Sequence, residues 1–181
     1  MEFTPKTITL KNGAAALLRS PLPDDAAAMV DFMDTVAAET ENLIMSPEDG
    51  SMSIEQESEY LASSLTSETE AMIVCEIDGH IAGNCQISFN RRARTRHRAG
   101  VAIALREKYW GLGIGAAMFR ELIALARDRG VYQIELEYIE GNDRGRALYE
   151  KMGFQAYGEH PDAIRLPDGS MRKFITMRKV L

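Results

Sequence analysis

A glycine-rich run between an apolar stretch and an amphipathic one constrains this chain more than any other feature. Residues 109–115 read Tyr-Trp-Gly-Leu-Gly-Ile-Gly, after the apolar residues 101–105 and before Ala-Ala-Met-Phe. This order predicts a strand, a glycine loop and a helix. Glycines let the backbone approach an anion without a Cβ in the way, and the free N–H groups at a helix start face it with the positive end of the helix dipole. The run therefore predicts a binding site for a pyrophosphate.

The length of 181 residues favours one domain over residues 1–181, with room for a substantial core. No stretch approaches the apolar length that crosses a bilayer, and the first residues lack a basic region followed by an apolar one. We therefore expect a cytoplasmic protein without a membrane partner.

The two cysteines, Cys75 and Cys85, flank an Asp78-Gly79 turn signal. A two-residue hairpin turn there would place Cys75 opposite Ala82 rather than opposite Cys85. We therefore predict two buried free thiols, neither a disulfide nor a metal pair.

The hydrophobic pattern and the turn signals predict an alternation of hairpins and helices along the chain. Asn12-Gly13 fits the tight turn of a first hairpin, and Ser53 with Gln56 three residues later is typical of a capping box at a helix start. The predicted strands are 7–10, 14–19, 72–77, 80–90, 98–105, 132–139, 154–157 and 171–180; the predicted helices begin at Pro23, Ser53 and after the glycine loop, with a last one over 142–152.

The glycine loop is compatible with three classes of phosphate ligand, of which the first two are the nucleotides of a P-loop and the dinucleotides of a Rossmann-type fold. A P-loop needs Gly-Lys-Ser/Thr at its end, whereas Gly115 is followed by two alanines. A dinucleotide fingerprint begins at Gly111-Leu112-Gly113, but the loop follows two hairpins and no acidic residue clearly ends the next strand to bind a ribose. The loop alone leaves the ligand open.

A downstream segment separates the alternatives. Residues 142–154 read Asn-Asp-Arg-Gly-Arg-Ala-Leu-Tyr-Glu-Lys-Met-Gly-Phe. Together with the glycine loop, this segment resembles the GCN5-related N-acetyltransferase (GNAT) superfamily, and the element order resembles it over the whole chain. The resemblance implies an α/β (α+β) fold with a mixed, strongly twisted sheet and helices on both faces. In that fold acetyl-CoA lies where two parallel strands splay apart, here 98–105 and 132–139.

The resemblance also implies roles for individual residues, and it implies no metal. Asn142 would contact the arm of the cofactor, and Tyr149 would be the catalytic acid beside the sulfur. The strand backbone would pair with the pantetheine and acetyl groups, and the loop would cradle the pyrophosphate; the residues concerned are Ile103, Ala104 and Leu105 of the strand and Trp110, Gly111, Leu112, Gly113, Ile114, Gly115 and Ala116 of the loop.

These roles also make chemical sense. Acetyl transfer to an amine needs donors for the developing oxyanion and a proton for the leaving thiolate. A tyrosine, with a pKa near 10, is a suitable acid for a thiolate of slightly lower pKa. The alternative for Tyr149 is a core aromatic residue close in sequence to Met152 and Phe154.

The chain departs from the family pattern at two positions. Trp110 stands where many members have Arg or Gln, which predicts weaker charge compensation but not loss of cofactor binding. Gly100 stands about where many members have a glutamate base. The base is therefore unassigned among His97, Glu135 and Glu137.

Charge is segregated along the chain. Residues 24–70 contain 13 acidic residues and no Lys or Arg, whereas residues 91–98 contain five Arg and one His. Both segments could be solvated faces that attract each other. Alternatively, the acidic segment walls the acceptor site, as the same segment usually does in the family, and attracts a cationic amine; the carboxylates concerned are Glu39, Glu41, Glu48 and Asp49.

The sequence thus predicts an enzyme that moves acetyl from acetyl-CoA to a primary amine by direct attack in a ternary complex. The acceptor would be a cationic small molecule or a protein N-terminus. An acyl-CoA-binding sensor without efficient catalysis and a Rossmann-type nucleotide binder are the alternatives. The basic segment 91–98 could face a partner subunit in a homodimer, a substrate carboxylate or nucleic acid. The net charge of -6 and the lack of interleaved aromatic residues argue against nucleic acid.

Overall fold

The computed structural model describes residues 1–181 and has one eight-stranded sheet, with strand order β1-β2-β3-β4-β5-β6-β8-β7. Neighbouring strands are antiparallel except for the parallel pair β5–β6. The strands are β1 Lys6–Thr9, β2 Ala15–Arg19, β3 Glu70–Ile77, β4 His80–Phe89, β5 Arg98–Leu105, β6 Gln133–Ile139, β7 Gln155–Arg165 and β8 Met171–Val180. The helices are α1 Ala26–Glu39, α2 Ile54–Thr66, α3 Ile114–Asp128 and α4 Asp143–Lys151.

Helices cover both faces of the sheet, as the sequence predicted. Alternate residues of β3 belong to two separate apolar clusters, because side chains alternate across a strand. Ile73 belongs to a cluster of 26 buried residues that includes Phe119 of α3, and Val74 belongs to a cluster of eight that includes Phe32 of α1 and Leu61 of α2. The mixed α/β fold class is therefore confirmed. No helix combines the length and apolar composition that crossing a membrane requires.

Local signals placed most element boundaries correctly. The capping box at α2 is present: the Gln56 backbone N–H donates to Ser53 Oγ at 3.2 Å, and the Ser53 N–H donates to Gln56 Oε1 at 3.0 Å. The region from Pro23 forms a short 3-10 turn before α1 begins at Ala26.

Two predictions about strands are wrong in detail. β7 extends to Arg165 rather than ending near residue 157, because it pairs with the long strand β8 across an irregular segment between His160 and Ile164. Cys75 lies opposite Gly83 rather than Ala82, because a bulge between Cys75 and Glu76 shifts the register by one residue. Both cysteines are nevertheless buried and free, as predicted.

The parallel strands β5 and β6 separate part-way along their length. They pair only at Arg98 with Gln133, at Ala99 with Ile134 and at Gly100 with Glu135. β5 continues to Leu105 on the side of β4, whereas β6 continues to Ile139 on the side of β8. The splayed pair that the sequence predicted is therefore present, and it leaves a strand edge open within the sheet.

Candidate functional site

A cleft of about 690 Å³ opens where β5 and β6 separate. Its walls come from these strands, the starts of α3 and α4, and the segment that follows α1. All predicted cofactor residues except Leu112 line it; they are Ile103, Ala104, Leu105, Trp110, Gly111, Gly113, Ile114, Gly115, Ala116 and Asn142. Leu112 instead packs against the larger apolar cluster, and its carbonyl oxygen accepts a hydrogen bond from the Lys11 N–H at 3.0 Å.

The glycine loop presents free backbone donors to the cleft. Gly111 and Gly113 have φ angles of 80° and 92°, in the left-handed region that glycine enters without strain. Gly113 caps α3, and the first bond of the helix runs from the Ala117 N–H to the Gly113 carbonyl at 3.1 Å. The N–H groups of Ile114, Gly115 and Ala116 therefore have no backbone partner, which suits an anion.

Gly115 serves packing rather than backbone conformation. A Cβ on this residue would lie 2.8 Å from Leu148 Cδ2 and 3.3 Å from Leu105 Cδ1. The missing Cβ lets the start of α3 lie close to α4 and β5, which closes the floor of the cleft.

Trp110 fixes the junction between β5 and the loop. Its Nε1–H donates to the carbonyl oxygen of Leu105 at 2.9 Å. The guanidinium carbon of Arg144 lies 4.5 Å from the Trp110 ring centroid, within range of a cation–π contact. Arg144 also lines the cleft. Arg144 was not predicted from the sequence, although its place in the first turn of α4 could have pointed to it.

Asn142 has a structural role as well as a place in the cleft. It is the N-cap of α4, and its Oδ1 accepts a hydrogen bond from the Gly145 N–H at 2.8 Å. Its side-chain NH₂ has no partner within the chain and remains available in the cleft. A Cβ on Gly145 would lie 2.7 to 2.8 Å from Asn142 side-chain atoms, so the glycine leaves room for the cap.

Tyr149 is both a core aromatic residue and part of the cleft wall. It is only 8% exposed, and its ring packs edge-on against Phe119 at 5.7 Å between centroids and against Phe154 at 6.4 Å. Its hydroxyl makes no hydrogen bond within the chain, although the residue lines the cleft. Burial, with a smaller contribution from Tyr138, raises the pKa of Tyr149 to about 12. The phenol is therefore a protonated donor at neutral pH.

Only one of the three candidate bases borders the cleft. The carbonyl of His97 accepts hydrogen bonds at the far end of β5, and its side chain lines a separate cavity. Glu135 is held by Arg98, whose Nε donates at 2.8 Å. Glu137 lines the cleft, and the one hydrogen bond of its carboxylate is a 3.4 Å contact from Thr176 Oγ1.

The strand register places Glu137 on the same sheet face as Gly100. Gly100 pairs with Glu135, so these two residues share a face, and Glu137 follows two residues later on that face. A Cβ on Gly100 would meet no atom within 4 Å. The position where the family often has a glutamate is therefore open space, and Glu137 of the neighbouring strand lines the cleft.

The part of the cleft wall that residues 33–45 form is largely apolar, which corrects the expectation of an acidic wall. The segment does border the cleft, but through Met33, Val36, Thr40, Asn42, Leu43, Ile44 and Met45. None of the four expected carboxylates, Glu39, Glu41, Glu48 and Asp49, lines it. Glu39 Oε2 accepts the Glu107 N–H at 2.7 Å, and Asp49 accepts the Ser46 N–H at 2.7 Å. Glu39 thus ties the end of α1 to the turn after β5, whereas Asp49 holds a local turn.

The acidic and basic segments hardly interact. One ion pair joins them, between exposed Arg91 and Glu68 at 3.8 Å. No group of three or more His, Cys, Asp or Glu side chains is placed to hold a metal ion.

The chain was compared with known proteins. Residues 37–154 match the family model described as "Acetyltransferase (GNAT) family". The chain belongs to this family. This is a family of acetyltransferases, and the donor that the family uses is acetyl-CoA.

Known proteins resemble this GNAT protein at low sequence identity. A protein from Bacillus subtilis (strain 168), provisionally named ribosomal protein bS18-alanine N-acetyltransferase, is 31% identical over 87 residues, or 48% of this chain and 54% of that protein. The match thus spans about half of that relative. A GNAT-family acetyltransferase from Streptococcus pneumoniae superposes with a TM-score of 0.85 at 27% identity, over 92% of this chain and 99% of the other. A Salmonella typhimurium protein of provisional acetyltransferase assignment, solved with its cofactor acetyl-CoA, gives 0.76 at 18% identity, over 92% and 94%.

Proposed function

We propose that this GNAT enzyme transfers the acetyl group of acetyl-CoA to the primary amine of a peptide N-terminus or a small molecule, by direct attack in a ternary complex. One observation carries the proposal. The cleft between β5 and β6 has free backbone donors at one end and Tyr149 in its wall. The name of the Bacillus relative supports a peptide N-terminus as acceptor, and the cofactor of the Salmonella protein supports acetyl-CoA as donor.

The residues of the cleft fit the donor in a definite order. The N–H groups of Ile114, Gly115 and Ala116 would bind the diphosphate, since they are unpartnered and at the positive end of α3. The open edge of β5 at residues 103–105 would pair with the pantetheine amides. The free NH₂ of Asn142 would donate to the same arm.

The donor, when bound, supplies an acetyl thioester that an amine can attack. Two side chains of this enzyme would then move protons. Glu137 would accept a proton from the amine, directly or through one water, because only a neutral amine has the lone pair that forms the new C–N bond. Tyr149 would donate its proton as the C–S bond breaks, so that the thiol leaves neutral. The Tyr149 hydroxyl is free for this role because it makes no hydrogen bond within the chain.

An acyl-CoA-binding protein without efficient catalysis is the second candidate, and the open position at Gly100 favours it. The two functions differ in one measurable respect. A transferase releases CoA in proportion to the acceptor amine, whereas a binding protein releases it only by slow hydrolysis.

A thiol-release assay separates them. Purified protein and acetyl-CoA are incubated with peptides that carry a free N-terminus, with the same peptides formylated at the N-terminus, and with a panel of small amines. We expect CoA release that requires a free amine, together with an acetylated product in the mass spectrum. CoA release that is the same with free and blocked amines would instead identify the binding protein.

A further inference from the structure

Two positively charged side chains flank the glycine loop without a carboxylate partner. Arg144 lies over Trp110 at the start of the loop, and Lys11 lies beside Gly113 at its end, with its Cγ 3.6 Å from where a Cβ on Gly113 would be. Both residues line the cleft. Neither forms a salt bridge, although nine ion pairs occur elsewhere in the chain. Two cations thus remain available beside the glycine loop and the three free backbone donors that follow it.

We propose that Arg144 and Lys11 form a two-sided clamp for the phosphates at the nucleotide end of acetyl-CoA. This inference rests on the proposed function. A helix N-terminus contributes the equivalent of about half a positive charge, which is less than the charge of a diphosphate. The guanidinium can bind two phosphate oxygens side by side, whereas the ammonium adds a point charge from the hairpin.

Trp110 has a defined part in this clamp. Its indole is fixed by the bond to the Leu105 carbonyl, so the ring is a rigid platform beneath the Arg144 guanidinium. A cation–π contact at such an exposed site restrains the arginine and leaves its N–H groups free. Trp110 stands where many family members have Arg or Gln. It therefore holds in place a cation, Arg144, that belongs to α4.

The single tryptophan of the chain makes the clamp measurable without turnover, because its fluorescence reports directly on this site. We would titrate the wild type, Arg144→Gln and Lys11→Gln with CoA, dephospho-CoA and pantetheine. The matched control is Arg146→Gln, since Arg146 is an exposed residue of the same helix that pairs with Glu150 at 2.8 Å and does not line the cleft.

We expect the CoA Kd to rise about tenfold in Arg144→Gln and severalfold in Lys11→Gln, as for loss of a charge-assisted hydrogen bond. The Kd in Arg146→Gln should stay within twofold of wild type. Pantetheine, which lacks the phosphates, should bind all variants alike. If the variants also show a higher Kd with dephospho-CoA, the clamp binds the diphosphate. If the Kd is higher only with CoA, the clamp binds the 3′-phosphate.

Wild-type affinity for CoA in either Arg144→Gln or Lys11→Gln would overturn the clamp. Failure of the proposed function is a different result, namely a wild-type protein that does not bind CoA, or that binds it without amine-dependent thiol release. Circular dichroism spectra of the variants would show that each is folded.

Discussion

Replacement of Tyr149 by phenylalanine removes one oxygen atom from the cleft and leaves the aromatic packing in place. The ring keeps its edge-on contacts with Phe119 and Phe154. Because the hydroxyl has no hydrogen-bond partner within the chain, its removal leaves no buried polar group unsatisfied. We therefore expect Tyr149→Phe to unfold within about 1 kcal/mol of wild type at neutral pH, so that a change in rate reports on chemistry.

The size of the rate effect follows from the pKa. General acids contribute about 100-fold to 10,000-fold when their pKa is well matched to the leaving group. The pKa of Tyr149 is about 12, above a thiol value of about 8.5, so complete proton transfer to a free thiolate is uphill. The contribution should lie at the low end of the range. We predict a fall in kcat of about 100-fold, or about 2.7 kcal/mol of barrier height.

The assay follows release of CoA thiol at saturating acetyl-CoA and amine over a range of pH below 10, where Tyr149 stays protonated in the wild type. The defect should appear in kcat at each pH, and the CoA Kd from Trp110 fluorescence should not change. Tyr132→Phe is a matched control, because Tyr132 is 57% exposed and does not line the cleft. Retention of more than half of the wild-type kcat in Tyr149→Phe would refute the role of this hydroxyl as the acid.

Further predictions concern the base, the helix cap, the packing of the loop and the alkaline limit. Glu137→Gln should lower kcat/KM about 100-fold, and the defect should shrink as pH rises because more of the amine is already neutral. Glu140→Gln is the control, since Glu140 does not line the cleft, and it should stay near wild type; pH-rate profiles check both variants. Asn142→Ser keeps a capping oxygen but loses the free NH₂, so the KM for acetyl-CoA should rise severalfold with an unchanged Tm. Gly115→Ala should cost about 1 kcal/mol in chemical denaturation, because its Cβ would press on a leucine of α4. The pKa of Tyr149 is about 12 in the folded state and 10.0 ordinarily, so the unfolded state loses the phenol proton first as pH rises. The free energy of unfolding should therefore fall between pH 10 and 12. Tyr149→Phe should lack this part of the pH dependence.

Much of the fold was predictable because its signals are local. The Ser53 and Gln56 capping box, the Asp78-Gly79 turn and the glycine loop each fix a boundary through hydrogen bonds within a few residues. The bulge after Cys75 was not predictable, since it depends on how two strands pair rather than on either strand alone. The extension of β7 has the same origin, because β8 supplies the partners.

The acceptor wall shows a different limit of sequence reasoning. Composition correctly marked residues 24–70 as acidic, but it could not show which carboxylates are free. Glu39 and Asp49 accept backbone N–H groups of nearby turns, whereas Arg106 pairs with Asp31 at 2.7 Å. What faces the cleft is the apolar remainder of the segment, including Met33, Leu43, Ile44 and Met45. Attraction of a cationic acceptor by this wall is therefore not supported by its side chains.

The two departures from the family pattern have a common structural feature. In each, a neighbouring element supplies a charged residue where the expected group is missing: Glu137 of β6 follows two residues after Glu135, the partner of Gly100, and Arg144 of α4 lies over Trp110. Glu137 lies on β6, and Arg144 lies on α4, the helix that follows β6. Both residues therefore belong to the β6 wall of the cleft rather than to β5 or the glycine loop. A cleft with two walls can receive a charge from either one, so the loss of a motif residue from one wall does not by itself predict loss of its chemistry. The tests on Glu137 and Arg144 therefore ask whether the role of a residue in this GNAT protein depends on its position in space rather than on its position in the motif.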